Sequence, residues 1–387
     1  MRRIYLLGLI VLLGLLSLTG CYREPPLHLY DKETPVIDIP FAEVKLDLYW
    51  YYNDDYKWRS EWYYGKDDEN GPGWDDEDKR IFGELEYVEP SHFHLRRYFT
   101  DEKPFGKRIM KKEAYITGRT FRTQYEWGFW DILAWNDITT LDGVQSLHFD
   151  EKSSFDEPIT ATTSETQYSS RYHAPRYQHS FYEPEQLFSA CECGIDINRN
   201  LEGIVFYEKE NMWIRELSMY LEPITYIYLP QVILHHNKGR INYVPGIANL
   251  SGMAKSTTLN TGIAGSDAIA VNFKVRLKNG KDMNGEKVDV IGGRLMTFGI
   301  CGQNANRITR AEESIDRERH YLDVAMQFNN GVDSTFVFDV TDQVRKRYKG
   351  GVITVELDMD TVHIPTQSGF NAIIKDYDEV VVPDIDL

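Results

Sequence analysis

Apolar and polar residues alternate in short runs along much of the chain. In "VKLDLYWYY" (residues 44–52), Val44, Leu46, Leu48 and Trp50 fall on one face, and the residues between them fall on the other. Alternation with a period of two is typical of a strand that buries one of its faces. The pattern therefore predicts an early, half-buried β-strand.

Seven further segments repeat this theme, and turn residues separate them. They are rich in Val, Ile, Tyr, Phe and Thr, and they begin at Ala114, Gly128, Ile224, Val288, Tyr321, Ser334 and Gly351. Because turns rather than amphipathic helices lie between them, the spacing predicts an all-β fold of antiparallel sandwiches. We predict only two short helices, one from Glu183 and one from Thr341.

The chain is long enough for two domains, since 387 residues correspond to two ordinary cores. A polar, Ser/Thr-rich stretch begins at residue 153, and the strand pattern restarts near residue 194. We therefore predict an N-terminal β-sandwich domain over residues 41–190 and a C-terminal one over residues 191–387. The acidic stretch 65–80 predicts a solvated loop.

The amino terminus has the pattern of an export signal. Arg2 and Arg3 precede an apolar run of fifteen residues, 4–18. Such a run rises about 22 Å as a helix, which is short of the roughly 30 Å hydrocarbon core of a membrane. We therefore expect a signal peptide over residues 1–20 rather than a permanent membrane span.

A cysteine directly follows the small residues at the end of this signal. Leu18, Thr19 and Gly20 suit the recognition site of a signal peptidase, and Cys21 supplies a thiol for lipid attachment. Together they resemble the bacterial lipobox; a plain secretory signal with an incidental cysteine is the alternative. Several acyl chains, palmitate among them, would anchor the mature protein stably through a proline-containing tether over residues 21–40. Tyr22 after the cysteine favours the outer membrane.

The charge of the chain limits its partners. The formal net charge is −17, and it becomes −19 without Arg2 and Arg3. An acidic surface argues against binding to nucleic acid and against a basic patch for anionic membranes. We therefore expect attachment to the membrane through the lipid alone.

Candidate chemistry in the remaining sequence is sparse. Cys191 and Cys193 share one face of a strand, where a disulfide between them would be strained, and pairing of either one with Cys301 stays open. The acidic loop does not match an EF-hand. There is no nucleophile elbow, Walker loop or dinucleotide-binding glycine motif. We therefore predict a non-enzymatic protein without a cofactor.

Two histidine pairs also fail as metal motifs. His92 and His94 would share a strand face, and His235 adjoins His236. Neither pair has the spacing of a zinc ribbon or of an HExxH helix, and the two pairs are far apart in sequence. We predict no metal site.

Aromatic residues are densest between residues 49 and 74. Trp58, Trp62 and Trp74 belong to this cluster. Three interpretations are open: filling of a sandwich core, an interface with another protein, or a platform on which sugar rings stack.

Several stretches together resemble one family. They are "CYREPPLHLYD", "VKLDLYWYY", "GFWDILAWND", "FYEPEQLFSA", "NYVPGIANLSGMAKSTTLNTG", "FDVTDQV" and "SGFNAIIKDYDEVVVPDIDL". They look like the fimbrillin-like lipoproteins of Bacteroidales, in a branch of unassigned function, over nearly the whole chain. The resemblance implies two tandem transthyretin-like β-sandwich domains and a role in or beside surface fimbriae as subunit, tip or anchor.

The resemblance also implies a maturation step. Polymerising subunits of such fimbriae are cut after an arginine downstream of the lipidated cysteine, which removes the first strand and lets a neighbour's strand take its place. Arg23 precedes the first predicted strand here, and Arg59 follows it. Arg59 is therefore the candidate cleavage site, and an uncut, permanently lipidated anchor is the alternative.

These observations favour a lipid-anchored protein of the outer membrane. We expect it to work through contacts with other fimbrial or surface proteins in fimbria assembly, anchoring or adhesion. The alternative function is a surface lipoprotein that binds glycans through the aromatic platform of Trp58, Trp62 and Trp74.

Overall fold

A computed structural model describes most of the chain after the predicted tether. The described residues are 41–50, 76–83, 87–100, 108–138, 145–150, 159–166, 179–197, 203–210, 212–283, 285–302, 318–365, 370–376 and 379–381. They are almost entirely β-structure, which confirms the predicted all-β fold class. No helix among them has the length and apolarity that a membrane crossing requires.

The described residues form 24 strands and two short helices. The first twelve strands are β1 Phe41–Trp50, β2 His92–Thr100, β3 Ile109–Thr117, β4 Thr120–Glu126, β5 Gly128–Asn136, β6 Leu147–Asp150, β7 Thr160–Thr163, β8 Ser180–Tyr182, β9 Phe188–Ile197, β10 Ile204–Tyr207, β11 Met212–Pro223 and β12 Tyr226–His235. The next twelve are β13 Ile241–Tyr243, β14 Ile247–Ala254, β15 Ser256–Thr258, β16 Ala268–Lys274, β17 Arg276–Met283, β18 Glu286–Gly292, β19 Leu295–Thr297, β20 Tyr321–Phe328, β21 Asp333–Asp339, β22 Gly351–Asp358, β23 Phe370–Asp376 and β24 Glu379–Val381. The helices are α1 Asp76–Phe82 and α2 Thr341–Lys346. Among the described residues, each of the eight segments that the sequence predicts as strands contains at least part of a strand.

The strands form four sheets in the described part of the chain. An eight-stranded sheet has the order β3-β2-β5-β9-β11-β1-β4, with β10 on β11, and a second has the order β24-β23-β21-β20-β14-β16-β8, with β13 on β20. A five-stranded sheet has the order β17-β18-β12-β19, with β22 on β12, and a small sheet holds β15, β7 and β6. Most pairings are antiparallel, as the spacing of the turns predicts.

Strand β12 is buried on both faces. Tyr226, Tyr228, Val232 and Leu234 belong to the largest apolar core, while Ile227, Leu229 and Ile233 face a smaller one on the other side. These two sets alternate with the period of two that a strand imposes. Burial of both faces fits the nearly continuous apolar sequence of this strand.

The largest core contains side chains from both sides of residue 190. Tyr98 and Leu133 belong to it together with Val355 and Leu357. Strand β9 also runs through residue 190 without a break. The division into domains at 41–190 and 191–387 stays a prediction.

The predicted solvated loop ends in a helix that the sequence analysis missed. Residues 76–80 of that stretch belong to α1, whose Asp78 is fully buried. Lys278 of β17 is also buried, and its Nζ donates to Asp78 Oδ1 at 2.7 Å. The expectation of a loop was wrong here because a partner 200 residues away neutralises a carboxylate that looks solvated in the sequence.

The helix predicted from Glu183 is absent, whereas the one predicted from Thr341 is present as α2. Residues 183–187 have no regular secondary structure, and residues 188–190 begin β9. Side chains of residues 183–187 satisfy backbone groups elsewhere. The buried carboxylate of Glu185 accepts hydrogen bonds from the backbone N–H groups of Ser146 and Leu147, and Gln186 pairs with both backbone groups of Val88. A helix would turn these side chains away from their partners.

Cys191, Cys193 and Cys301 are thiols that form no disulfide bond within the described residues. Cys191 and Cys193 lie on β9 with their Sγ atoms 3.4 Å apart, as expected for two positions on one strand face. Their hydrogen bond raises the pKa of Cys191 and lowers the pKa of Cys193. Cys301 is buried in the largest core.

The buried ion pair generates a stability prediction. We expect Lys278→Met to lower the free energy of unfolding by about 3–5 kcal/mol, because it leaves the buried Asp78 carboxylate without its ammonium partner. Urea unfolding followed by circular dichroism measures the loss. Lys287→Met on β18 is the control, since Lys287 is exposed and its loss should change stability by less than about 0.5 kcal/mol. Equal effects of the two substitutions would contradict a buried pair.

Candidate functional site

The sequence-predicted site residues lie outside the described residues: Leu18, Thr19, Gly20, Cys21, Trp58, Arg59, Trp62 and Trp74. Lipidation, proteolytic maturation and the aromatic contacts therefore stay predictions. The strand that separates the predicted lipidation site from the predicted cleavage site is described, however. That strand, β1, and the strand that receives it are the candidate functional site.

Strand β1 pairs in parallel with β11. The register runs through eight residue pairs, from Glu43 with Ile214 to Trp50 with Leu221. We call residues 214–221 of β11 the β1 seat. Parallel neighbours cannot be joined by a tight turn, and here residues 51–211 lie between the two strands in sequence. Backbone pairing rather than chain connectivity therefore places β1 beside β11.

The register matches the apolar pattern of β1 to the burial pattern of the seat. It pairs Leu46 with Leu217 and Leu48 with Met219. Met219 is fully buried, whereas its neighbour Tyr220 is 61% exposed. Paired residues of neighbouring strands belong to the same face of a sheet. The register thus places Leu46 and Leu48 opposite alternate positions of the seat, of which Met219 is buried.

Strand β4 borders β1 on the side away from the seat. The ring of Tyr125 on β4 packs edge-on against Trp130 of β5, with 4.8 Å between the ring centroids. The guanidinium of Arg97 on β2 lies 5.1 Å from the Tyr125 ring centroid. Burial raises the pKa of Tyr125 to about 12, although Arg97 opposes this shift. Tyr125 of β4 therefore packs against side chains of both β2 and β5.

This arrangement makes β1 an interior strand of its sheet. Because β11 and β4 lie on its two sides, removal of β1 would expose a row of unpaired backbone groups on each of them. An open edge of this kind can accept an extended segment of another chain by β-strand addition. The geometry is thus compatible with strand exchange, in which a second strand replaces β1 and forms backbone hydrogen bonds with β11 and β4.

The histidines of β2 have a structural setting. His92 and His94 share a strand face, as predicted, and their rings lie 5.5 and 5.1 Å from the ring of Tyr115 on β3. The Tyr115 hydroxyl donates to Asp137 at 2.7 Å, and this bond raises the pKa of Tyr115. His94 Nε2 also lies 3.3 Å from Asp137. The pair therefore belongs to a hydrogen-bonded aromatic cluster.

The seat itself was missed by the sequence analysis. The available signal was the alternation of Leu217, Met219 and Leu221 with polar residues in the segment "MWIRELSMYLEP". That alternation indicates a half-buried strand. It contains no information about which strand lies beside it.

The comparisons with known proteins are structural, since no family model matches the sequence and no curated protein is similar enough to match. A candidate adhesin from Bacteroides ovatus is 13% identical, with a TM-score of 0.45 over 85% of this chain and 95% of that one. A candidate adhesin from Bacteroides thetaiotaomicron is 10% identical, with a TM-score of 0.43 over 84% and 94%. The fimbrial anchor protein Mfa2 from Porphyromonas gingivalis is 9% identical, with a TM-score of 0.39 over 82% and 90%. These three similar structures are thus two candidate adhesins and one fimbrial anchor protein, all at low sequence identity.

Substitution of a large side chain of the seat by alanine tests whether that side chain is buried. We expect Met219→Ala to lower the free energy of unfolding by about 2–5 kcal/mol, because a fully buried side chain is replaced by a cavity. Tyr220→Ala, at the adjacent exposed position, should change it by less than about 0.5 kcal/mol. Urea unfolding midpoints of both variants against the parent give the comparison. A larger loss for Tyr220→Ala would show that the opposite face of β11 is the buried one.

Proposed function

We propose that this protein is a lipid-anchored cell-surface protein that acts through protein contacts in the assembly or anchoring of fimbria-like filaments, or in adhesion. The observation that carries the proposal is the parallel insertion of β1 between β11 and β4. A strand that is remote in sequence from its neighbours is the element that a second chain could replace.

The predicted processing sites lie on opposite sides of this strand. Cys21 precedes β1, and Arg59 follows it. A cut after Arg59 would separate β1, together with the lipid, from the rest of the chain. Retention of the intact chain would leave the lipid joined covalently to the folded body.

We propose the uncut form as the working form. An intact chain keeps its own β1 on the seat, so the seat accepts no strand from another subunit. Such a chain can end or anchor a filament, because it is already self-complemented at this position. A cut chain would instead offer the seat to a neighbour and act as a shaft subunit.

Mass spectrometry of the amino terminus distinguishes these two forms. We expect the protein isolated from the surface of its native cells to begin at an acylated Cys21. A terminus at Ser60, directly after Arg59, would contradict the anchor and indicate a shaft subunit. Recovery of only unmodified, soluble protein from the periplasm would contradict both.

Substitution of the predicted lipidation site tests the anchor separately. We expect Cys21→Ala to move the protein from the membrane fraction to the soluble fraction, because no acyl chain remains to hold it. Cys193→Ala is the matched control, since Cys193 is an exposed free thiol within the folded body. Immunoblots of fractionated cells measure the distribution. Membrane association that survives Cys21→Ala would show that something other than the lipid holds the protein.

A further inference from the structure

The ends of β12 and β22 lie beside the start of β18, at one end of the five-stranded sheet. Strand β12 pairs in parallel with β22, so that His235 lies opposite Asp358, and it pairs antiparallel with β18, so that Leu234 lies opposite Asp289. The last residues of β12 and β22 therefore lie beside the first residues of β18. The side chains at this end of the sheet include both imidazoles and carboxylates.

Both histidines at this end of the sheet contact carboxylates from neighbouring strands. His235 Nδ1 lies 3.2 Å from Glu286 Oε1, and His235 Nε2 lies 3.2 Å from Glu356 Oε2. His236 Nδ1 lies 2.9 Å from Asp358 Oδ1, and His236 Nε2 lies 3.6 Å from Glu286 Oε1. The residues come from β12 and the turn that follows it, from β18 and from β22, segments that are far apart in sequence.

The arrangement around His236 suits a cation. Both ring nitrogens of His236 face carboxylate oxygens, with Nδ1 at 2.9 Å from Asp358 Oδ1 and Nε2 at 3.6 Å from Glu286 Oε1, and the bond to Asp358 raises the pKa of the imidazole. A metal ion that binds a ring nitrogen must therefore displace a proton. A metal ion would accept lone pairs from the nitrogen and from the carboxylate oxygens together.

We propose that His236, Asp358 and Asp360 bind a divalent transition-metal ion of the zinc class. Their ligand atoms all lie within 4.8 Å of one another, and all three residues are exposed and accessible from solution. Zinc bonds of about 2.1 Å in a tetrahedron place ligand atoms about 3.4 Å apart, which small rotations of exposed side chains achieve. Glu286 Oε1, at 3.6 Å from His236 Nε2, is placed to provide a further oxygen.

The nitrogen ligand sets the class of the metal. Calcium and magnesium prefer sites built from oxygen alone, whereas an imidazole with carboxylates suits zinc, nickel, cobalt or copper. The proposed site therefore selects a transition metal over calcium.

Asn237 holds the turn that carries His236. Its side chain is buried, its amide donates to Ile241 O at 2.8 Å and to Asp289 Oδ2 at 2.6 Å, and its Oδ1 accepts from Ile241 N at 2.7 Å. These bonds connect the turn to β18 and to the start of β13. The imidazole of His236 is thus presented from a fixed backbone.

Lys238 occupies part of the proposed site. Its Nζ lies 2.9 and 3.1 Å from the two carboxylate oxygens of Asp360. A metal ion that binds Asp360 must displace this ammonium. Metal and Lys238 therefore compete, which makes the site distinguishable from a network of surface ion pairs.

Calorimetric titration of the intact protein with zinc chloride tests the proposal. We expect one zinc ion per chain, and Asp358→Asn or His236→Gln should weaken its binding by more than about tenfold. Asp137→Asn is the matched control, because Asp137 forms a similar pair with His94 outside the site. Zinc should also raise the melting temperature of the parent protein but not of Asp358→Asn. Calcium chloride at the same concentration should do neither.

Lys238→Ala provides the sharper arm of the experiment. Removal of the competing ammonium should tighten zinc binding by a few fold, whereas a simple ion-pair network would gain nothing from the loss. Zinc binding that is absent, that persists unchanged in both Asp358→Asn and His236→Gln, or that weakens in Lys238→Ala would overturn the proposal. The melting temperatures of the metal-free variants verify that each one is folded.

Discussion

The burial of β12 on both faces is the constraint on which the rest of the structure depends. A strand with one solvated face needs a single covering layer, but β12 needs two, because its alternate side chains enter two separate cores. Transfer of a large apolar side chain from water is worth about 1.5–3 kcal/mol, so the seven apolar positions divided between those cores form a large favourable term. Every element that covers either face is therefore held in place by the same strand.

A proline lies in the middle of this strand, where it should cost a hydrogen bond. Pro230 falls between the stretch that pairs with β19 and the stretch that pairs with β18, and its carbonyl accepts from Gly293 in the connection between them. The N–H and C=O of one residue point to the same side of a strand. The missing N–H thus falls at a gap in the ladder, and the proline is tolerated in an interior strand.

Residues from an early part of the chain help to cover the face of β12 that lies in the smaller core. Phe82 of α1 belongs to the smaller core, and Tyr87 packs against it while its hydroxyl donates to Thr225 O at 2.9 Å. The Asp78 to Lys278 ion pair connects the same helix to β17. Residues near position 80 therefore complete a core whose strands follow position 220. A boundary drawn from composition alone cannot show such a contribution.

The sequence is informative about elements and uninformative about their partners. Strand β20 begins at Tyr321, where the sequence predicts a strand to begin, because local alternation and β-propensity are properties of neighbouring residues. The burial of the Asp78 carboxylate and the cluster around His236 were not predicted, because their contacts are not between neighbouring residues. Their partners lie 200 and 122 residues away, and only the register of the sheets brings them into contact. The β1 seat shares this property, since its alternation shows a strand but not its neighbour.

The position of β1 gives the predicted cleavage a definite physical consequence. The predicted lipidation site and β1 lie on the same side of Arg59, so a cut there would not by itself release the body of the protein. The two pieces would stay joined by the eight-residue ladder between β1 and β11 and by the pairing of β1 with β4. Release would then require displacement of β1, and a strand from another chain that pairs with the same edges would supply the replacement bonds as the old ones break. In an uncut chain the covalent link keeps β1 attached to the rest of the protein. Strand β1 then stays between β11 and β4 and prevents a strand of another chain from pairing there. Under the proposed function, a single peptide bond beyond β1 would decide whether the protein ends a filament or extends one, while the sheet that receives the strand would be the same in both cases.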